Sequence, residues 1–316
     1  MTQSLIRTAV VGVGSLGQHH ARIYSTLPGA VLAGVYDADP ARAAEIAARH
    51  TTRVFPTLES LRGEVDCASV VVPTDLHRAV AGELLGQGLH LLVEKPIAAT
   101  TREAEELVAL AAANGRILQV GHIERYNPVM EKLDGWPGLP RYIEADRLAS
   151  FPPPRPGALP RGTEVSVVLD LMIHDIEIAL FLARSPVRDV RGAGLPVMSR
   201  SEDIAKAWIE FESGCVACLS ASRISPNRER RLRVFFDDAY ASLDYQEQAA
   251  LVRRRTPTGI QEERVPVEKD DQLTRELADF VDCVRTGREP KVPGRQAAEA
   301  MRVAERVMDA IRKGRA

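Results

Sequence analysis

Over residues 8 to 121, short β-branched apolar runs alternate with longer stretches whose apolar positions recur every three or four residues. "TAVVGV", "AVLAGVYD", "CASVVVP", "HLLVEK" and "RILQVG" are the runs; "PARAAEIAARH" and "TREAEELVALAAAN" are two of the intervening amphipathic stretches. Strands joined through helices make parallel crossovers, so the pattern predicts βαβ units in a parallel sheet with helices on both faces. Past "RYNP", which starts a short helix, the texture changes. Strand-like segments at 140–150, 187–197, 203–212, 215–224, 230–246 and 249–267 follow one another with few helices between them, which predicts an open, mainly antiparallel sheet. A helix of about 164–184 precedes most of them, and helices of about 271–286 and 294–313 close the chain. The fold class is α/β followed by α+β, with domains at 1–122 and 123–316. Prolines in "FPPPRPGALPRG", residues 151–162, can continue neither ladder nor helix and mark a loop.

Length and composition narrow the class. At 316 residues the chain is long for one core, in keeping with two domains. Hydrophobic residues make up 45% and charged residues 27%, which argues against disorder. The net charge of -2 and the interruptions within "RERRLRVFF" and "VRRRTPTG" make these arginines solvated strand faces rather than a nucleic-acid patch. The N-terminus lacks the features of a secretory signal, and no apolar run approaches the ~20 residues of a membrane span, so a cytoplasmic location is expected. Four cysteines in this length do not make a disulfide framework. "CVAC", Cys215 to Cys218, lies in a strand-like segment where positions three apart face opposite sides, so free thiols are expected and no metal site.

The first strand runs into Gly12-x-Gly14-x-x-Gly17 and then a helix. Such a loop meets three needs of dinucleotide binding: a tight turn, close backbone approach to a pyrophosphate, and close helix–sheet packing. The helix N-terminus adds N–H groups and a positive dipole end. Asp37 ends the next strand 20 residues after Gly17, where a carboxylate accepts from ribose hydroxyls and disfavours a 2'-phosphate. The expected cofactor is therefore NAD rather than NADP, on an N-terminal Rossmann domain. The alternative, a glycine turn without a ligand, stays open at this level.

Two further features suggest chemistry. In "EVSVVLDLMIHDIEIALFLAR" positions 167–182 are apolar nearly all round, yet Asp170, His174 and Glu177 fall at i, i+4 and i+7 on one stripe. Buried polar groups need partners, so the stripe is either a core histidine satisfied by an aspartate one turn earlier, or a general base, His174, oriented and made more basic by Asp170. "VEKP" closes a strand at the carboxyl edge of the parallel sheet, and Pro96 restricts the conformation of Lys95. Alone, that lysine also reads as simply solvated.

The glycine loop with His20, Asp37, Glu94-Lys95-Pro96, "GHIERYNP" and "DLMIHDIE", in this order and followed by a strand-rich half, resemble the Gfo/Idh/MocA family of NAD(P)-dependent oxidoreductases over essentially the whole chain. The resemblance implies a Rossmann domain joined to an open-sheet domain, with substrate in the cleft between them and the sheet's free face used for homo-oligomerisation, as a dimer or tetramer. It implies cofactor contacts at Gly12, Gly14, Ser15, Leu16, Gly17, Asp37, Pro73, Thr74, His77, Glu94 and Lys95. It also implies catalytic roles for Lys95, Asp170 and His174. "VGHIERYNP" and "LDLMIHDIE" look most like the branch that oxidises UDP-N-acetylglucosamine at C3, with a small-molecule sugar as the substrate and neither nucleic acid nor membrane as a partner. His122, Arg147, Arg155 and Arg161 are the substrate-side candidates, the arginines as clamps for a diphosphate. Two other readings are a dehydrogenase of a free polyol such as an inositol, and a dinucleotide-sensing regulator without turnover.

Overall fold

The computed structural model describes residues 5–133, 138–153 and 162–314. Its contacts divide the chain into two compact units, Met1–Tyr126 with Asp271–Ala298, and Asn127–Asp270 with Glu299–Ala316.

The first unit is built on β1 (Ile6–Val11), α1 (Gly17–Tyr24), β2 (Ala30–Tyr36), α2 (Pro40–Arg49), β3 (Arg53–Val54), β4 (Cys67–Val70), α3 (Thr74–Gly86), β5 (His90–Glu94), α4 (Thr101–Ala113) and β6 (Leu118–Gly121). All six strands are parallel, in the order β3-β2-β1-β4-β5-β6. β4 is buried along its whole length because helices cover both faces, and its one polar residue, Ser69, is paired with the Tyr24 hydroxyl at 2.9 Å. Caps fix where helices begin. The Asp39 carboxylate accepts from the N–H groups of Ala41 and Arg42 with Pro40 at the first helical position, and the Thr100 hydroxyl accepts from Glu103 N–H. The strand order reverses between β1 and β4, which puts the ligand crevice of such a sheet outside their carboxyl ends.

The second unit holds β7 (Tyr142–Leu148), a π-helical turn (Val168–Met172), α5 (Ile173–Ala183), β8 (Val187–Leu195), β9 (Ile204–Phe211), β10 (Val216–Ser222), β11 (Glu229–Phe235), β12 (Ala239–Asp244), β13 (Ala249–Thr256) and β14 (Gly259–Val265). They form one sheet, β14-β13-β12-β11-β7-β10-β9-β8, antiparallel except where β7 pairs with β10. β9 shows why one face is covered and one open: Ala205, Ala207, Ile209 and Phe211 are buried while Lys206 and Trp208 alternate with them outside. α5 packs on β7 and β10. Two segments that the pattern presents as single strands are hairpins. The segment 230–246 turns at Asp237-Asp238, closed by Phe236 N–H on the Ala239 carbonyl at 2.8 Å, and 249–267 turns at Pro257-Thr258. Aspartate, proline and glycine at these turns break runs that are otherwise continuous in alternation.

The closing helices are α6 (Gln272–Thr286) and α7 (Gly294–Lys313). α6 belongs to the first unit, where Leu273, Leu277, Phe280 and Val281 join Val10, Ile23 and Tyr24 in one apolar cluster. The residues 271–298 thus return to the first unit before the chain ends in the second with 299–316. Among the described residues no helix is long and apolar enough to cross a membrane.

Candidate active site

The expected site residues fall in two sets, one in each unit. In the first, each glycine of the loop meets a different demand. Gly12 has φ +86°, and a Cβ there would stand 2.6 Å from the Val71 carbonyl oxygen, so both conformation and crowding require glycine. A Cβ on Gly17 would lie 1.9 Å from the Gly12 carbonyl oxygen, because α1 starts hard against the loop. Apart from its chain neighbours, no described residue comes within 4 Å of where a Cβ on Gly14 would be. That open space beside bare backbone at a helix start fits the pyrophosphate of a dinucleotide. Ser15 and Leu16 complete the turn, and among the described residues no side chain caps α1.

Asp37 is half-buried and braces this loop: one carboxylate oxygen accepts from Val13 N–H at 2.7 Å and the other from Asp39 N–H at 2.9 Å. A carboxylate offers about four acceptor positions, so capacity remains for ribose hydroxyls. Arg42 supports the loop from α2, donating from Nε to the Val13 carbonyl at 2.8 Å and from Nη2 to Gln18 Oε1 at 3.0 Å. Sequence reasoning missed it, because an arginine in an amphipathic helix carries no signal of its own.

After β4, Pro73 and Thr74 start α3. His77, expected at the cofactor, is buried, and its ring nitrogens lie 2.9 Å from the carbonyls of Val72 and Pro96. It ties the loop carrying Pro73 to the one carrying Lys95. Burial, only partly offset by those carbonyls, lowers its pKa. At the end of β5, Glu94 accepts from Lys95 N–H at 3.2 Å and lies 3.3 Å from Nε2 of the fully buried His20. Its carboxylate occupies the space that a side chain on Gly121 would need. Lys95 is half-buried, and the Lys95-Pro96 peptide is cis. His122, just past β6, is buried.

Near Glu94 in charge, though not in sequence, is Glu276 of α6. It is fully buried, neither carboxyl oxygen has a hydrogen-bond partner among the described residues, and burial followed by the charges of Glu94 and Asp279 raises its pKa well above the carboxylate range. Nothing in the amphipathic pattern of α6 distinguishes this glutamate from its solvated neighbours.

In the second unit the reactive helix differs from the expected continuous helix of 164–184. Residues 168–172 form a π turn, and the α-helix begins at Ile173. Such turns are wide and recur at functional sites. Here the π turn carries Asp170 and the α-helix carries His174, half-buried and buried respectively. Asp175 has a separate task. Its carboxylate takes two hydrogen bonds from Arg147 of β7, Nε to Oδ2 at 2.9 Å and Nη2 to Oδ1 at 2.8 Å, with both side chains 3% exposed. Arg147, expected as a diphosphate clamp, is therefore committed to a buried ion pair that anchors the helix to the sheet. Arg155 and Arg161 lie outside the described residues. A cavity of about 540 Å³ lined by Phe235, Tyr240, Arg253 and Ile260 contains none of the site residues. The cysteines are unbridged, Cys215 being buried and Cys218 half-buried.

Residues 6–122 match the oxidoreductase family GFO/IDH/MocA with its NAD-binding Rossmann fold, and residues 133–242 match a GFO/IDH/MocA C-terminal domain. The chain is 38% identical to the UDP-N-acetylglucosamine 3-dehydrogenase of Acidithiobacillus ferrooxidans over 290 residues, 90% of each chain. A solved structure of that enzyme superposes with a TM-score of 0.91 at 37% identity, covering 98% of both chains. The scyllo-inositol 2-dehydrogenase (NAD(+)) of Bacillus subtilis is 28% identical over 98% of this chain and 95% of its own. A levoglucosan dehydrogenase in complex with NADH shares the fold, with a TM-score of 0.86 at 16% identity and 98% of each chain covered.

Proposed function

The chain belongs to the Gfo/Idh/MocA family of oxidoreductases, and from that premise we propose that it oxidises a secondary hydroxyl of a nucleotide sugar, UDP-N-acetylglucosamine at C3, with NAD as acceptor. The observation that carries the substrate is the match along nine-tenths of both chains to an enzyme of that name. The NAD preference rests on Asp37, whose carboxylate stands fixed at the end of β2 and would repel a 2'-phosphate.

The chemistry divides among few groups. NAD, when bound, supplies the hydride acceptor. His174 takes the hydroxyl proton as the carbinol C–H bond gives up its hydride, so that the alcohol leaves as a ketone and the histidine as an imidazolium. Asp170 stabilises that imidazolium. Lys95 donates a hydrogen bond to the reacting oxygen and offsets its developing negative charge. Glu94 holds the backbone N–H of Lys95 and so steadies the turn that carries it. We also propose that the protein works as a homo-oligomer through the open face of the eight-stranded sheet, where aromatic rings form a row.

The test is the purified protein with NAD or NADP and a panel of UDP-sugars and free polyols, following reduced nicotinamide with and without a 2-oxo acid as recycling acceptor. Reduction with UDP-N-acetylglucosamine and NAD is expected. The second reading, an inositol-type polyol substrate, is favoured by the scyllo-inositol dehydrogenase relative, and signal with free polyols alone would establish it. Reduction of NADP in preference to NAD would overturn the role given to Asp37.

A further inference from the structure

A buried cluster in the second unit lies outside the groups assigned above. Asp203 and Arg223 are 0% and 2% exposed. One oxygen of Asp203 accepts from the N–H groups of Val197, Met198 and Ser199 at 2.8, 2.6 and 2.8 Å; the other accepts from the Ser199 hydroxyl at 2.7 Å and Arg223 Nε at 2.8 Å. Five donors on one carboxylate make a rigid seat for the guanidinium. The rest of Arg223 is spent on three backbone carbonyls and on the Ser201 hydroxyl, to which Nη2 donates at 2.9 Å. Its Nη2 donates to the carbonyls of Val165 and Glu202, both at 2.8 Å, and its Nη1 donates to the carbonyl of Gly162.

Gly162 and Val165 belong to the segment that leads into the π turn, and Glu202 is bonded to that segment. Ser201 Oγ donates to the Val165 carbonyl at 2.7 Å, and Val167 N–H donates to the Glu202 carbonyl at 2.9 Å. The Ser166 carbonyl accepts from Asp170 N–H at 3.1 Å. Gly162 itself has φ +82°, and a Cβ there would stand 2.6 Å from Asp170 Oδ2. The carboxylate of Asp170 therefore rests against the bare α-carbon of a residue whose carbonyl Arg223 holds.

We infer that Arg223, seated on Asp203, is a positioning residue for Asp170: it fixes the strap 162–167 so that Gly162 sets where the Asp170 carboxylate lies relative to His174. An isolated structural ion pair would not need to reach two carbonyls of the segment that starts this helix, Gly162 and Val165, and a third, that of Glu202, to which the segment is itself bonded through Val167 N–H. Lysine could keep the charge opposite Asp203 but has no planar fork to span those acceptors. The inference rests on the catalytic roles proposed for Asp170 and His174.

The test has two arms. In the first, Arg223→Lys and Gly162→Ala are each expected to lower kcat/KM about 10- to 100-fold, the scale on which small misplacements act, with the Kd for NAD unchanged. In an Asp170→Asn background neither is expected to lower it further. Losses of equal size in both backgrounds, or no loss, would overturn the inference, since a purely structural role acts whether or not Asp170 is present. The second arm needs no substrate: Arg223→Lys should raise amide hydrogen exchange across 163–170 in protein whose melting transition remains cooperative, and unchanged exchange there would also overturn it. A wild-type protein silent across the substrate panel would sink the proposed function, leaving the exchange arm to decide the clamp.

Discussion

Two neighbouring residues of one helix, His174 and Asp175, are assigned different tasks by the function proposed above: chemistry to the first, anchoring to the second. Asp175 is committed to Arg147, and a buried ion pair that loses one member leaves an uncompensated charge costing about 3–5 kcal/mol. Asp175→Ala should therefore lower the unfolding free energy read from chemical denaturation by an amount of that order, and a change within experimental scatter would show that the pair is not a structural anchor. His174→Ala should behave oppositely. Removal of a general base costs typically 10²–10⁴ in rate, so kcat should fall by about that factor while the Kd for NAD, read by fluorescence titration, changes little. Loss of NAD binding in this variant would make His174 a structural residue. The motif "LDLMIHDIE" does not separate the two aspartates by role; only the side on which β7 presents Arg147 does.

At the scale of the element, the glycine loop can be taken apart one position at a time. Gly14→Ala adds a methyl group to open space and should leave the melting temperature unchanged while weakening NAD binding, because the methyl group occupies the surface offered to the pyrophosphate. Gly17→Ala instead drives a methyl group into the Gly12 carbonyl, and overpacking of this kind costs about 1–3 kcal/mol. It should lower both stability and NAD affinity; equal melting temperatures for the two variants would refute the division of labour. α6 offers a pH-dependent counterpart. Burial and the charges of Glu94 and Asp279 raise the folded-state pKa of Glu276 above its unfolded value, so the native state binds the extra proton and stability falls as pH rises from about 4.3 toward the folded pKa. Glu276→Gln removes this term. The variant should gain on wild type as pH rises through that window, which a series of thermal melts from pH 4 to pH 8 would show; a gap that shrinks with pH would reverse the sign of the argument.

The elements also mark what the sequence makes legible. Alternating runs and amphipathic stretches disclose the Rossmann unit because parallel strands buried on both faces must be continuously apolar, and the spacing of Gly12, Gly14 and Gly17 shows because each demand is local. The hairpin turns at Asp237-Asp238 and Pro257-Thr258 are visible once sought, but strand alternation continues on both sides and hides them. The π turn at 168–172 leaves no mark, since an apolar helix has no periodicity to interrupt. Arg42, Glu276 and the Asp203–Arg223 seat owe their roles to partners 20 to 182 residues away in sequence, which no local pattern encodes.

At the scale of the whole molecule, the eight-stranded sheet leaves one face for something other than α5. Across that face the rings of Tyr240, Phe235, Tyr142 and Trp208 follow one another at centroid distances of 4.9, 5.7 and 6.1 Å, each within the range of favourable aromatic contact. Trp208 is 37% exposed, with Arg191 stacked 5.7 Å from its ring, and Ile260 at the β14 end is 78% exposed. Aromatic side chains with arginine are the composition of an interface core, and a self-complementary patch on one face generates closed symmetric assemblies. Light scattering should therefore give a mass that is a multiple of the 34.6 kDa chain. Trp208→Lys places a second cation beside Arg191 at the end of the aromatic row without altering the buried side of β9, so it should move the protein toward the monomer while its far-ultraviolet circular dichroism stays as in wild type. A monomeric wild type would leave the row without an oligomeric purpose, and an assembly unchanged by Trp208→Lys would move the interface to another surface. Because the row lies on the open face and the reactive helix on the covered one, a monomeric variant that still turned over substrate would separate assembly from catalysis.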